Sequence, residues 1–188
     1  EAERHIELCG REAYGSSPSE SLEDVRNWIR KRLEGWEHDV LEHSSATFHV
    51  VCSRVVSHEL VRHRLAAITQ RSQRFTETAI GSYILPPEVK SEDIDEWVAD
   101  YGKAQAIYDK WRAKYPRQTA RYHSPNGTLT SIMFTWNFRE IRHILEQRWD
   151  KKAQPETFEV AALIGRMCVG NWPGVFYDFA ERAELGTR

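Results

Sequence analysis

Apolar positions along this chain recur at helical spacing more often than in strand alternation, and clusters of glycine, proline and serine separate the runs. A first helical run ends near Ala13 and gives way to Gly15-Ser16-Ser17-Pro18-Ser19. Ser21 with Asp24 reads as a capping arrangement, after which Leu22, Val25, Ile29, Leu33 and Trp36 follow at helical spacing. Residues 46–52 alternate, with Phe48, Val50 and Cys52 against Thr47, His49 and Val51, as a half-buried strand does. Residues 55–67 read as helix, and residues 80–85 as a second strand stopped by Pro86-Pro87. Ser91 opens a long amphipathic helix with Ile94, Val98, Tyr101, Tyr108 and Trp111 near one stripe, ended by Pro116. Another helix starts near Arg117, and Pro125-Asn126-Gly127 is a clear break. The last helices run over residues 137–149 and 156–169.

No repeat, low-complexity stretch or linker divides these runs, so the expectation is a single mixed domain over residues 1–188. Its class is α/β (α+β), an antiparallel-type sheet with several helices. At 188 residues the chain is long enough for one core, and seven Trp, seven Tyr and seven Phe supply much of its area. A formal charge of −2 argues against a protein that coats nucleic acid. Cys9, Cys52 and Cys168 are odd in number and widely spaced, giving neither a disulfide framework nor a zinc site. No run approaches the roughly 20 apolar residues that span a bilayer, and Glu1-Ala2-Glu3-Arg4 is no signal peptide. A cytoplasmic location is expected, with no membrane partner. The start reads as a helix already under way, so a preceding segment is expected as well.

Neither a phosphate-binding GxxxxGK[ST] loop nor a GxGxxG turn is present, so any cofactor is held in another manner. The densest polar feature is His58-Glu59-Leu60-Val61-Arg62-His63-Arg64, continuing to Thr69-Gln70-Arg71-Ser72-Gln73-Arg74-Phe75. On a helix, three adjacent cations would point about 100° apart and serve different partners. Guanidinium forks and a hydroxyl around Ser72 suit phosphate oxygens, although a solvated basic helix with a polar loop has the same composition. On the helix starting at Asn137, Phe138, Ile141, Ile144, Leu145 and Trp149 form an apolar stripe. Arg148 falls in the middle of it, opposite Arg139, His143 and Glu146. A buried guanidinium without an acceptor costs several kcal/mol, so Arg148 requires an anion or a carbonyl, or reaches solvent along its stem. His38, Glu42 and His43 lack a helix to assemble them, and no metal ligand is assigned.

Arg62-His63-Arg64, seven residues and Ser72 together resemble the motif of flavin-dependent thymidylate synthases. Leu41-Glu42-His43 ahead of Thr47-Phe48-His49-Val50 is similar to the segment before that motif, and Thr135-Trp136-Asn137-Phe138-Arg139 leads to Arg148, Ala153-Gln154 and Glu156 in the family's order. The resemblance runs from about His38 to Phe179. It implies that His38, Val40, Arg62, His63, Arg64, Gln70, Asn137, Arg139 and His143 contact FAD. It also implies that Glu59, Arg62, Gln70, Arg71, Ser72, Gln73, Arg74, Arg121 and Arg148 line the nucleotide site, with Ser72, Arg74 and Arg121 on the phosphate. Arg148 would polarise the uracil ring. The implied reaction methylates dUMP to dTMP with methylenetetrahydrofolate and NADPH, in a homotetramer that shares its active sites and needs no cysteine nucleophile. Glu59 stands where glutamine is usual, Thr69-Gln70 where Asn-Glu is frequent, and Phe75 where tyrosine is usual. Those departures leave the sugar open between dUMP and UMP. The other alternative is a nucleotide-binding relative without catalysis.

Overall fold

Ser21 accepts the Asp24 N–H at 3.0 Å and opens α2 (Leu22–Glu34), which buries Val25, Ile29 and Leu33 as the spacing requires. The computed structural model describes residues 1–76 and 82–184. Ahead of α2 lies α1 (Ala2–Glu12), with Ile6 buried. Buried Glu3 accepts from Arg26 Nε at 3.0 Å and from the Gly174 N–H at 2.6 Å, fastening α1 to α2 and to a C-terminal loop. The α2 stripe stops short of Trp36. Gly35 caps the helix, and Trp36 turns into the left-handed region at φ 63° with its ring 86% exposed. A short 3-10 turn, Asp39–His43, then buries Val40 and Leu41.

Strand β1 (Ser45–Ser53) buries Phe48, Val50 and Cys52, the face expected from alternation. Ser53 ends the strand and caps α3 (Arg54–Leu60) by accepting the Val56 N–H at 3.2 Å. The expected helix over residues 55–67 is therefore cut short. The chain turns at Val61-Arg62 and runs on into strand β2 (Ala66–Gln70). Three consecutive basic residues have no apolar face with which to continue a buried helix, while Ala66 to Gln70 pairs in the sheet. The expected strand over residues 80–85 falls partly on Ile80 and Gly81, which lie outside the described residues. Of the remainder, Tyr83 forms one isolated bridge with Thr128.

The long helix is α4 (Ile94–Arg112), entered through a 3-10 turn at Ser91–Asp93. Of its expected stripe only Tyr108 is buried, and Val98 is 58% exposed. Tyr101 stacks on Tyr83 at 4.2 Å instead of entering a core. After Pro116 come α5 (Arg117–Ala120) and a 3-10 turn at Arg121–His123. The alternation of Ile132, Phe134 and Trp136 marks β3 (Leu129–Asn137), a strand the sequence reading did not assign. It is central in the antiparallel sheet of order β1-β3-β2. β3 passes directly into α6 (Phe138–Arg148), followed by α7 (Pro155–Asn171), a 3-10 turn at Tyr177–Phe179 and α8 (Ala180–Glu184). All five stripe residues of α6, from Phe138 to Trp149, are buried.

The class is mixed α/β, as expected, with eight α-helices among the described residues. Contacts divide the chain into two compact units. The first comprises Glu1–Phe48, His63–Ala67 and Thr135–Arg188; the second comprises His49–Arg62 and Ile68–Phe134. Within the first unit, α7 packs against α6 at Gly165, where an added Cβ would come within 2.2 Å of the Trp149 ring. Gly165→Ala is expected to destabilise the protein by about 1–3 kcal/mol through overpacking, read as a lower urea midpoint with an unchanged slope.

Candidate functional site

The residues implicated by the resemblance divide between the two units. His38, Val40, His63, Arg64, Asn137, Arg139, His143 and Arg148 belong to the first, and Glu59, Arg62, Gln70, Arg71, Ser72, Gln73, Arg74 and Arg121 to the second. The motif itself is split, because Arg62 closes one segment and His63 opens the next.

In the first unit, the end of β3 determines how α6 begins. Asn137 Oδ1 accepts the Glu140 N–H at 2.8 Å, an N-cap that sets the phase of the helix. Arg139 then faces outward and donates to Glu42 at 2.6 Å. His143 is exposed, and its Nε2 lies 3.1 Å from Gln147 Nε2. His63, only 5% exposed, meets this helix at two places. Arg148 donates its Nε–H to His63 Nε2 at 3.2 Å, and Glu140 Oε1 lies 3.5 Å from His63 Nδ1. His143 sets the edge of its ring against His63 at 5.8 Å. Arg148 is half-buried, and an imidazole is among its partners, where sequence reasoning anticipated an anion or a carbonyl. Burial, then the charges of Arg148 and His143, push the His63 pKa down from 6.5 to about 4. The His63–Glu140 contact is thus between a neutral imidazole and a carboxyl group, and burial lifts the carboxyl above its usual range.

Arg64 is exposed and Val40 is buried. His38 is half-buried and stacks on Trp36 at 5.9 Å. It lines a cavity of about 270 Å³ with Leu33, Glu34, Arg142 and Tyr177, a cavity that none of the other expected flavin positions lines.

In the second unit, Gln70 ends β2 with its amide Nε2 donating to Ser57 Oγ at 3.0 Å and to Thr130 Oγ1 at 3.2 Å. That amide nitrogen holds α3 and β3 together. The Arg71 N–H donates to the Ser131 carbonyl at 2.8 Å, so the chain leaves the sheet only after Arg71. A tight turn follows. The Ser72 carbonyl accepts the N–H groups of Phe75 and Thr76, and Ser72 Oγ accepts the Arg74 N–H at 3.2 Å. The Arg74 guanidinium lies over the Phe75 ring at 5.4 Å. Arg62, Arg71 and Arg74 are exposed, while Glu59, Ser72, Gln73 and Arg121 are half-buried.

Basic groups also crowd this unit. Burial and the nearby Arg121 charge lower the Arg54 pKa, and burial with the charges of Arg54 and Arg62 lowers that of His58. Arg54 was not singled out from the sequence, and His58 only as the first residue of the polar run. Their spacing of four residues from each other, and of four more to Arg62, was the signal. Such like-charge crowding suits an anion.

Residues 1–174 match the family model described as thymidylate synthase complementing protein. The chain belongs to this family. Among its relatives, the flavin-dependent thymidylate synthase of Mycobacteroides abscessus is 34% identical over 197 residues, covering 93% of this chain and 78% of that protein. The flavin-dependent thymidylate synthase of Mycolicibacterium vanbaalenii is 31% identical over 208 residues, covering 97% and 83%. That of Saccharolobus solfataricus is 36% identical over 149 residues, covering 77% of this chain and 56% of that protein. In this member of the thymidylate synthase complementing family, no helix among the described residues is long and apolar enough to cross a membrane.

Sequence reasoning also missed Arg142. It stands at the margin of the α6 stripe, buried, and donates to Asp178 Oδ1 and Oδ2 at 2.7 and 2.6 Å and to the Val175 carbonyl at 2.6 Å. That ion pair fastens the C-terminal segment to α6. It spends no part of itself on the His63 cluster.

His63 predicts a pH effect. Its native pKa lies below its unfolded value, so the unfolded chain binds more protons in the interval between them. Its contribution to stability is present above about pH 6.5 and is lost as pH falls toward 4. Replacing it by the uncharged acceptor in His63→Gln should flatten the fall in unfolding free energy across that window, as measured by urea denaturation at several pH values.

Proposed function

We propose that this chain is a flavin-dependent thymidylate synthase that methylates C5 of dUMP, giving dTMP, with methylenetetrahydrofolate as carbon donor. The observation that carries the reading is Arg148 held by the neutral, buried His63 on the helix that bears Asn137, Arg139 and His143. A guanidinium stays charged at any working pH. Oriented by an uncharged acceptor, it would draw electron density toward the uracil carbonyls and favour loss of the N3 proton. That makes C5 the nucleophilic carbon.

When bound and reduced by NADPH, FAD would supply the hydride that turns the transferred methylene into methyl. His38, Val40, His63, Arg64, Asn137, Arg139 and His143 would hold it, and Arg62 and Gln70 are assigned to both flavin and nucleotide. Glu59, Arg71, Ser72, Gln73, Arg74 and Arg121 would hold the nucleotide. Two observations support the nucleotide half. The clustered guanidinium groups of Arg54, Arg62 and Arg121, with His58 among them, fit a phosphate dianion. Ser72 Oγ accepts the Arg74 N–H, which orients a hydroxyl that retains its own O–H donor for a phosphate oxygen.

Cys168 fits a mechanism without a cysteine nucleophile, because burial pushes its thiol up to about 12. The oligomer is proposed to be a homotetramer sharing its sites, a reading supported by the exposure of Leu65, Phe75 and Tyr122 next to assigned residues. Residues 1–188 would act as one functional domain, in the cytoplasm.

The test begins with the visible spectrum. The purified protein should carry a flavin chromophore and oxidise NADPH, and a colourless, inert protein would favour a non-catalytic nucleotide-binding relative. Turnover of dUMP and UMP is then compared, and methylation of UMP alone would sink the assignment. Arg148→Ala should abolish methylation while retaining FAD, because the charge on the uracil is lost and the flavin contacts are not. Arg74→Ala should weaken nucleotide binding by about tenfold or more, in line with the loss of one charge-assisted phosphate contact. Binding of uridine without phosphate should change little, as read by titration of the flavin absorbance.

A further inference from the structure

We infer that Glu140 is a positioning residue for Arg148, acting through His63 and resting on the function proposed above. Glu140 sits in the first turn of α6, where its N–H is bound by the Asn137 cap, and its side chain is only 7% exposed. A carboxyl group withdrawn from water in this way requires a hydrogen-bond partner. Its Oε1 faces His63 Nδ1 at 3.5 Å, a polar contact at the outer limit of hydrogen bonding.

The direction of each proton follows from donor chemistry. A guanidinium only donates, so the Arg148 Nε–H at 3.2 Å obliges His63 Nε2 to act as acceptor. The neutral ring must then carry its hydrogen on Nδ1, the nitrogen that faces the Glu140 oxygen. Glu140 faces that N–H, and its carboxyl oxygen favours the tautomer whose Nε2 lone pair holds Arg148. Without that carboxyl group, the buried Nδ1–H loses the oxygen it faces. The ring gains by turning or by moving its proton to Nε2, and in either state it no longer accepts from Arg148. The two contacts lie at opposite ends of α6, in its first turn and its last. One helix thus clamps the ring from both sides while His143 packs against its edge at 5.8 Å.

The test compares Glu140→Gln and Glu140→Ala with the wild-type holoenzyme, using methylation kinetics, flavin content and the Arg148 Nε–H resonance in ¹⁵N-labelled protein. The glutamine carbonyl still accepts from Nδ1–H, so Glu140→Gln should keep kcat within about twofold and keep the Nε–H protected from solvent exchange. Glu140→Ala should retain flavin and the KM for nucleotide, lower kcat on the order of tenfold through misplacement of the guanidinium, and lose that protection. An unchanged kcat or unchanged protection in Glu140→Ala would overturn the inference. So would equal losses in both variants, or a loss confined to flavin content. If Glu140→Ala does not fold, Glu140→Gln decides, because a tenfold fall in kcat with its Nε–H still protected overturns the positioning role. Wild-type protein that neither binds flavin nor methylates dUMP would overturn the proposed function instead, and the resonance would still report whether Glu140 holds the pair.

Discussion

Asn137 belongs to strand and helix at once, and the candidate chemistry of the first unit depends on that overlap. It closes β3, and its side chain accepts the Glu140 N–H as the N-cap of α6, with no loop between the two elements. The next N–H, that of Phe138, donates to the Ser44 carbonyl just ahead of β1. With the start fixed at both residues, the phase of α6 follows. At about 100° per residue, Phe138, Ile141, Ile144, Leu145 and Trp149 turn into the core. Glu140 and Arg148 then reach the two nitrogens of His63, while Arg139 and His143 face outward. A shift of one residue in the cap would move all of these together.

The two units handle charge in opposite ways. In the first, buried polar groups are matched donor to acceptor. Arg142 is paired with Asp178, Glu3 with Arg26 and the Gly174 N–H, and His63 stays neutral between a donor and a carboxyl group. In the second, burial and the charge of Arg121 lower the Arg54 pKa, and burial with the charges of Arg54 and Arg62 lowers that of His58. Matched burial is what a rigid scaffold uses. Like charge gathered in one place raises the energy of the protein and is lowered by an anion that enters.

Much of this was legible in the sequence because local rules sufficed. The Ser21 cap, the α2 stripe through Leu33, the alternation in β1 and the α6 stripe each follow from spacing within one element. The failures came where another part of the chain decides. Residues 55–67 look helical throughout, yet Ala66 and Ala67 pair in a sheet whose central strand lies more than sixty residues downstream. Ile132, Phe134 and Trp136 alternate as clearly as the buried residues of β1, yet a strand between the Pro125-Asn126-Gly127 turn and the α6 stripe is stabilised by partners distant in the chain. Arg148 was legible as a cation in an apolar stripe, but its partner was not. His63 approaches from 85 residues away. Glu140 looked like an ordinary acidic residue in a first helical turn, favoured there by the helix dipole. Its burial against His63 has no local signature.

An imidazole as the acceptor of the Arg148 Nε–H has a consequence for the proposed chemistry. A carboxylate at that nitrogen would orient the guanidinium equally well, but it would also place a negative charge a few ångströms from the group proposed to attract electrons from a uracil ring. At an effective dielectric of about 20, that opposing charge is worth roughly 4 kcal/mol at 4 Å. A neutral acceptor orients without opposing. The cost is that a neutral imidazole has two tautomers, and only one accepts from arginine. Glu140 stands one ring farther from Arg148, on the Nδ1 side of His63. There a carboxyl group can select the tautomer while any charge it carries acts on the guanidinium from a greater distance, and burial raises its pKa. Orientation and charge are thereby assigned to different residues, which is why the pair at Arg148 needs a third member.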